Sequence, residues 1–188
     1  MEKKKTYHQG FSVPVWLRLM LMNLERLSPY FAMRVGVFIF SKPLKFKIPE
    51  KEQKALEKCI QNSVYIPTIG TEIVTFTWKN AGEKVLLNHG WSGRGTQLYY
   101  IAEVLHSLGY HVVAYDAPAH GKSSGKTTNM LQMIATVSHL DKSENGFDYF
   151  IGHSFGAMAI FNYCKNEGKA KNCLLYTSDA ADEGLGVD

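Results

Sequence analysis

The residues best placed to do chemistry are Gly152-His153-Ser154-Phe155-Gly156, a G-x-S-x-G pentapeptide between the apolar run Tyr149-Phe150-Ile151 and a helical pattern from Ala157 to Lys165. A serine hydroxyl suits acyl transfer: its oxygen attacks a carbonyl, and the oxygen of the tetrahedral adduct takes up negative charge. A strand-to-helix turn this tight admits only small residues at Gly152 and Gly156. It lifts the Ser154 hydroxyl above the sheet and leaves the Phe155 N–H at a helix N-terminus, facing any oxyanion that forms. A second donor is expected from Asn88-His89-Gly90-Trp91-Ser92-Gly93, at the end of an earlier strand, where the Trp91 N–H lies on the loop beside the nucleophile turn. His89 and His153 are read as histidines that fix their loops by hydrogen bonding rather than as general bases.

A third motif, Asp116-Ala117-Pro118-Ala119-His120-Gly121-Lys122-Ser123, closes the strand between these two. In their order and spacing the three motifs resemble the α/β-hydrolase fold family over roughly residues 62 to 170. The resemblance implies a serine hydrolase acting on a carboxylic ester or related acyl substrate through an acyl-enzyme on Ser154, esterase- or lipase-like. Oxyanion stabilisation would come from the N–H groups of Trp91 and Phe155, with His89 and Gly90 shaping the loop, and no metal or organic cofactor is implied. In that family the acid and the histidine of the triad follow the nucleophile, so Asp116 and His120 are expected to be structural. After Gly168 the sequence offers no histidine, and these 188 residues are expected to be inactive by themselves. Acyl transfer to other acceptors, peptide cleavage, and a non-catalytic binding protein on the same fold are the alternatives.

Two phosphate-binding patterns compete for the same residues and fail on spacing. Gly121-Lys122-Ser123-Ser124-Gly125-Lys126-Thr127 looks like a P-loop, but the gap between Gly121 and Gly125 is one residue too short to close a backbone ring around a phosphate. Gly90-Trp91-Ser92-Gly93-Arg94-Gly95 follows a strand, yet its glycines run G-x-x-G-x-G, the reverse of the dinucleotide fingerprint.

The elements that must position these motifs can be read from hydrophobic period. Val64 to Pro67 and Glu72 to Trp78 alternate with period two around Thr68-Ile69-Gly70-Thr71, which predicts an antiparallel hairpin. Lys84 to Asn88 is a strand, Gln97 to Leu108 a helix ending at Gly109, His111 to Tyr115 a strand, Met130 to Leu140 a helix, and Tyr149 to Ile151 a strand. Strands alternating with helices call for right-handed crossovers, hence an α/β fold: a mostly parallel sheet with an N-terminal antiparallel hairpin and helices on both faces, incomplete at the C-terminus. Leu44 to Ile60 reads as a connecting segment leading into a short amphipathic helix.

A chain of 188 residues, 45% apolar and 20% charged, can bury one sizeable core. The net charge of +4 sits largely in Lys3, Lys4 and Lys5 and does not indicate a nucleic-acid surface. Cys59, Cys164 and Cys173 have no metal-site spacing, and their odd count fits free thiols in a reducing, cytoplasmic compartment. Residues 1 to 43 form an N-terminal extension with two short helices broken at Ser28-Pro29. Neither apolar run reaches membrane-spanning length, and Arg18 interrupts any secretory signal. A packed or partner-binding pair is the first expectation for residues 11 to 40, and peripheral membrane contact the second. The hydrolase-like domain is assigned to residues 44 to 172. From Cys173 the sequence CLLYTSDAADE resembles the translation of a transposase adaptor used in DNA library preparation, so residues 173 to 188 are expected to be non-native and Asp179, Asp182 and Asp188 not to supply the catalytic acid. A true strand beginning near Ala170 is the competing reading.

Overall fold

Period-two alternation folds as a hairpin in the computed structural model, which describes residues 14–167 and 173–176. β1 (Ile60–Ile66) and β2 (Thr71–Trp78) pair antiparallel from Ile60↔Thr77 to Ile66↔Thr71. Gly70 in the turn takes φ +60, a left-handed position that glycine adopts without a Cβ penalty. β1 starts four residues earlier than its apolar pattern suggests. Ile60 to Ser63 are exposed, so an edge strand that pairs through its backbone shows no burial alternation there.

β3 (Lys84–Asn88), β4 (His111–Asp116), β5 (Tyr149–His153) and β6 (Cys173–Tyr176) complete a six-stranded sheet in the order β1-β2-β4-β3-β5-β6. β2 meets β4 antiparallel, whereas β3 runs parallel to both β4 and β5. β6 adds in parallel to β5, from Phe150↔Cys173 to His153↔Tyr176, so β5 is an inner strand and not the sheet edge. Cys173 to Tyr176 lie within the segment whose sequence resembles adaptor translation; residues 177–188, including Asp179, Asp182 and Asp188, lie outside the described residues.

Alternating residues of the strands feed two cores. On one face Leu86, Val113 and Phe150 pack with Met133 and Val137 of α5 (Met130–Ser143) and Ile160 of α6 (Phe155–Asn166). On the other, Val85, Leu87 and Ala114 pack with Ala102 and Leu105 of α4 (Tyr99–Ser107) and with Leu56 of α3 (Glu50–Leu56). Burying each large apolar side chain is worth about 1.5–3 kcal/mol, enough to hold the strand register on both faces. The helix expected from Gln97 is entered through a 3-10 turn, Gly95–Leu98, and α5 runs on to Ser143.

The chain divides into two units, Met1–Phe40 and Ser41–Asp188. In the first, α1 (Val15–Leu27) and α2 (Pro29–Phe40) contact each other. Ser28 between them is extended, its carbonyl accepting the Ala32 N–H at 3.1 Å. Among the described residues no helix is long and apolar enough to cross a membrane.

Candidate active site

The G-x-S-x-G turn joins β5 directly to α6. Ser154 takes φ 51 and ψ −120, an unusual conformation for a residue with a Cβ, and its side chain is exposed. Such a conformation costs on the order of 1–3 kcal/mol and persists only where its surroundings fix it. The flanking glycines show what fixes it here. A Cβ on Gly152 would lie 2.6 Å from Ala157 Cα, and one on Gly156 would overlap His89 O and lie 2.6 Å from Asn88 O. The first turn of α6 is therefore pressed against the end of β3, and Asn88 Nδ2 donates to Gly156 O at 3.1 Å across that junction.

The loop after β3 meets the same turn. A Cβ on Gly90 would sit 3.2 Å from Ser154 Cβ and 3.0 Å from His153 Nδ1, so the loop backbone rests against the serine. One residue on, the Trp91 ring packs edge-on against Phe155, with centroids 5.0 Å apart. Ser154, Trp91 and Phe155 are thus brought to one place, and Phe155, the first residue of α6, has no intrahelical acceptor for its N–H. Gly152, His153, Gly156, His89 and Gly90 all line this junction.

His89 and His120 hold the loops from beneath. His89 Nε2 accepts the Ala117 N–H at 3.0 Å, which leaves Nδ1 protonated and donating to Gly90 O at 2.7 Å. His120 repeats the arrangement, with Nε2 accepting the Ser92 N–H at 3.0 Å and Nδ1 donating to Pro118 O at 3.0 Å. Both rings are buried and lie 5.0 Å apart, and burial pulls the pKa of each down to about 4. With both nitrogens engaged, neither ring has a lone pair for a serine proton. Asp116 accepts the Gly95 N–H on Oδ1 and the Lys122 N–H on Oδ2, each at 2.7 Å, and ties the two loops to the end of β4. Burial raises its pKa against those two donors.

One cluster carries no local sequence signal. Glu52 of α3 accepts from Arg94 Nε at 2.6 Å, from Arg94 Nη2 at 2.7 Å and from Thr96 Oγ1 at 2.7 Å, with both charged side chains buried. Leu44 N–H also donates to Ser92 Oγ at 3.0 Å. The segment read as a connector therefore clamps the loop that carries Trp91. Glu52 and Arg94 stand 42 residues apart, and nothing in either neighbourhood indicates the other. Among the described residues no group of three or more His, Cys, Asp or Glu could hold a metal ion.

Residues 84–183 match the family model described as alpha/beta hydrolase fold, more than half of the chain. The chain belongs to the α/β-hydrolase fold family. Among solved structures it is similar to an epoxide hydrolase from Vigna radiata, at 20% identity and a TM-score of 0.57 over 64% of this chain and 40% of that one. It is similar also to an esterase from Exiguobacterium antarcticum, at 21% identity and 0.55 over 63% and 45%, and to a thioesterase domain from the curacin biosynthetic pathway, at 24% and 0.56 over 68% and 51%. At these identities the likeness is one of fold. The chain spans about two fifths to one half of the length of these structures. Within the α/β-hydrolase fold, the turn bearing Ser154 and the loop bearing Trp91 are the two parts of the sheet's C-terminal edge that face each other here.

Proposed function

We propose that this chain carries the nucleophile of a serine hydrolase that cleaves a carboxylic ester or related acyl substrate. The observation that carries the reading is the exposed Ser154, held in a strained strand-to-helix turn that abuts the backbone at Gly90, with the Trp91 ring on Phe155. Ser154 Oγ attacks the carbonyl carbon as its proton passes to a base, and the adduct collapses with loss of the alcohol to leave an acyl-enzyme. Water then releases the acid and restores the serine. The N–H groups of Phe155 and Trp91 stabilise the oxyanion, and loss of one such donor costs about 3 kcal/mol of transition-state stabilisation.

The base and its orienting acid are assigned to the part of the fold that follows the nucleophile. No histidine follows His153 in these residues, and the hydrogen bonds of His89 and His120 remove both from the role. Hydrolysis of a short p-nitrophenyl ester tests this. The protein with a complete hydrolase domain is expected to turn over and its Ser154→Ala variant not to, while the 188-residue chain shows no Ser154-dependent rate. Ser154-dependent turnover by the 188-residue chain would mean that the base lies among the residues described above.

A further inference from the structure

Away from the candidate site, the feature that the fold leaves unexplained is the surface of α1 and α2. No residue of either helix is buried. Their mutual contact half-covers a narrow stripe that includes Leu17, Leu21 and Leu24 of α1 and Ala32 and Val35 of α2. Thirteen large apolar side chains between Val15 and Phe40 remain exposed, about as many as in all the other described residues together. They include Trp16 at 67%, Phe31 at 59% and Phe40 at 63%. A water-soluble surface rarely carries an apolar area so dense, and such an area requires an apolar neighbour.

Charge decides which neighbour. Residues 1 to 47 hold nine Lys and Arg against two Glu and no Asp, a net +7, while the rest of the chain is net −3. Exposed aromatic and methionine side chains interspersed with Arg18, Arg26 and Arg34 are the composition that an anionic lipid interface selects, the rings at headgroup depth and the arginines among phosphates. At ~1.5 Å per residue, α1 and α2 are each about 20 Å long or less, too short for the ~30 Å hydrocarbon core. We propose that the α1–α2 pair lies in the plane of an anionic membrane surface and docks the protein there, independently of what Ser154 does.

Flotation of the full 188-residue chain with phosphatidylcholine vesicles containing one-quarter phosphatidylglycerol tests the proposal, because aggregates stay at the bottom of the gradient. The chain is expected to float with these vesicles and at least about tenfold less with phosphatidylcholine alone. Phe31→Glu with Phe38→Glu should abolish flotation, and Arg18→Gln, Arg26→Gln and Arg34→Gln together should weaken it on the order of 100-fold. All five side chains are exposed, so far-UV circular dichroism should be unchanged. Absence of flotation by the wild-type chain, flotation indifferent to these substitutions, or a discrete oligomer by light scattering that the phenylalanine substitutions split into monomers would overturn the proposal.

Discussion

Replacing Glu52 by Gln should unfold the second unit more readily than any exposed substitution, although Glu52 lies far from Ser154 in sequence. Its carboxylate meets Arg94 twice, at 2.6 and 2.7 Å, and the Thr96 hydroxyl once, at 2.7 Å; Glu52 is 7% exposed and Arg94 5%. Gln keeps the shape but leaves the guanidinium buried without its counter-charge, which costs about 3–5 kcal/mol. Against a whole-domain stability of roughly 5–15 kcal/mol, and with a urea dependence of about 2 kcal/mol per molar, the midpoint should fall by about 2 M. Removing both charges, as in Glu52→Gln with Arg94→Met, should restore most of the loss, because no unpaired ion remains. The assay is urea denaturation followed by circular dichroism on the wild type, both single variants and the double. A shift below about 0.5 M for Glu52→Gln, or strictly additive losses in the double variant, would refute the clamp.

Gly156→Ala should cost stability and Ser154 reactivity together, since the new methyl meets the backbone oxygens of Asn88 and His89, which cannot move without parting α6 from β3; about 1–3 kcal/mol of destabilisation is expected by urea titration. The two buried histidines make the fold acid-sensitive. Their folded pKa of about 4 lies below the ordinary 6.5, so the unfolded chain binds these protons first, and stability falls as pH drops below 6.5, levelling off near 4. At pH 5 the loss is about 2 kcal/mol per ring, offset in part by Asp116, whose raised pKa acts in the opposite direction. Thermal midpoints from pH 7 to 4.5 should show the fall, and His120→Gln should flatten it.

What the sequence made legible was whatever coincided with burial or with a short motif. β3 at Lys84–Asn88 and the strand-to-helix turn at Ser154 were readable because apolar period and glycine spacing agree there. The start of β1 was not, because Ile60 to Ser63 pair through their backbone while their side chains face water. The helical pattern begins at Gln97, and the 3-10 turn that starts two residues earlier at Gly95 forms because Arg94 and Asp116 hold its start from outside. The Glu52–Arg94 pair had no local signature at all. At the other end, Cys173 to Tyr176 resemble adaptor translation, and these four residues pair in parallel with β5. Of the candidate site, the motifs told which residues meet; the spent lone pairs of His89 and His120 became visible only with their partners Ala117 and Ser92 in place.

Reaction with a fluorophosphonate, read by intact-mass and peptide mass spectrometry, asks whether Ser154 is a nucleophile poised for acyl chemistry. A protein that carries this chain within a complete hydrolase domain should take up one adduct, mapped to the peptide containing Gly152 to Gly156, and its Ser154→Ala variant none. An unmodified protein, or an adduct that survives Ser154→Ala, would contradict that reading.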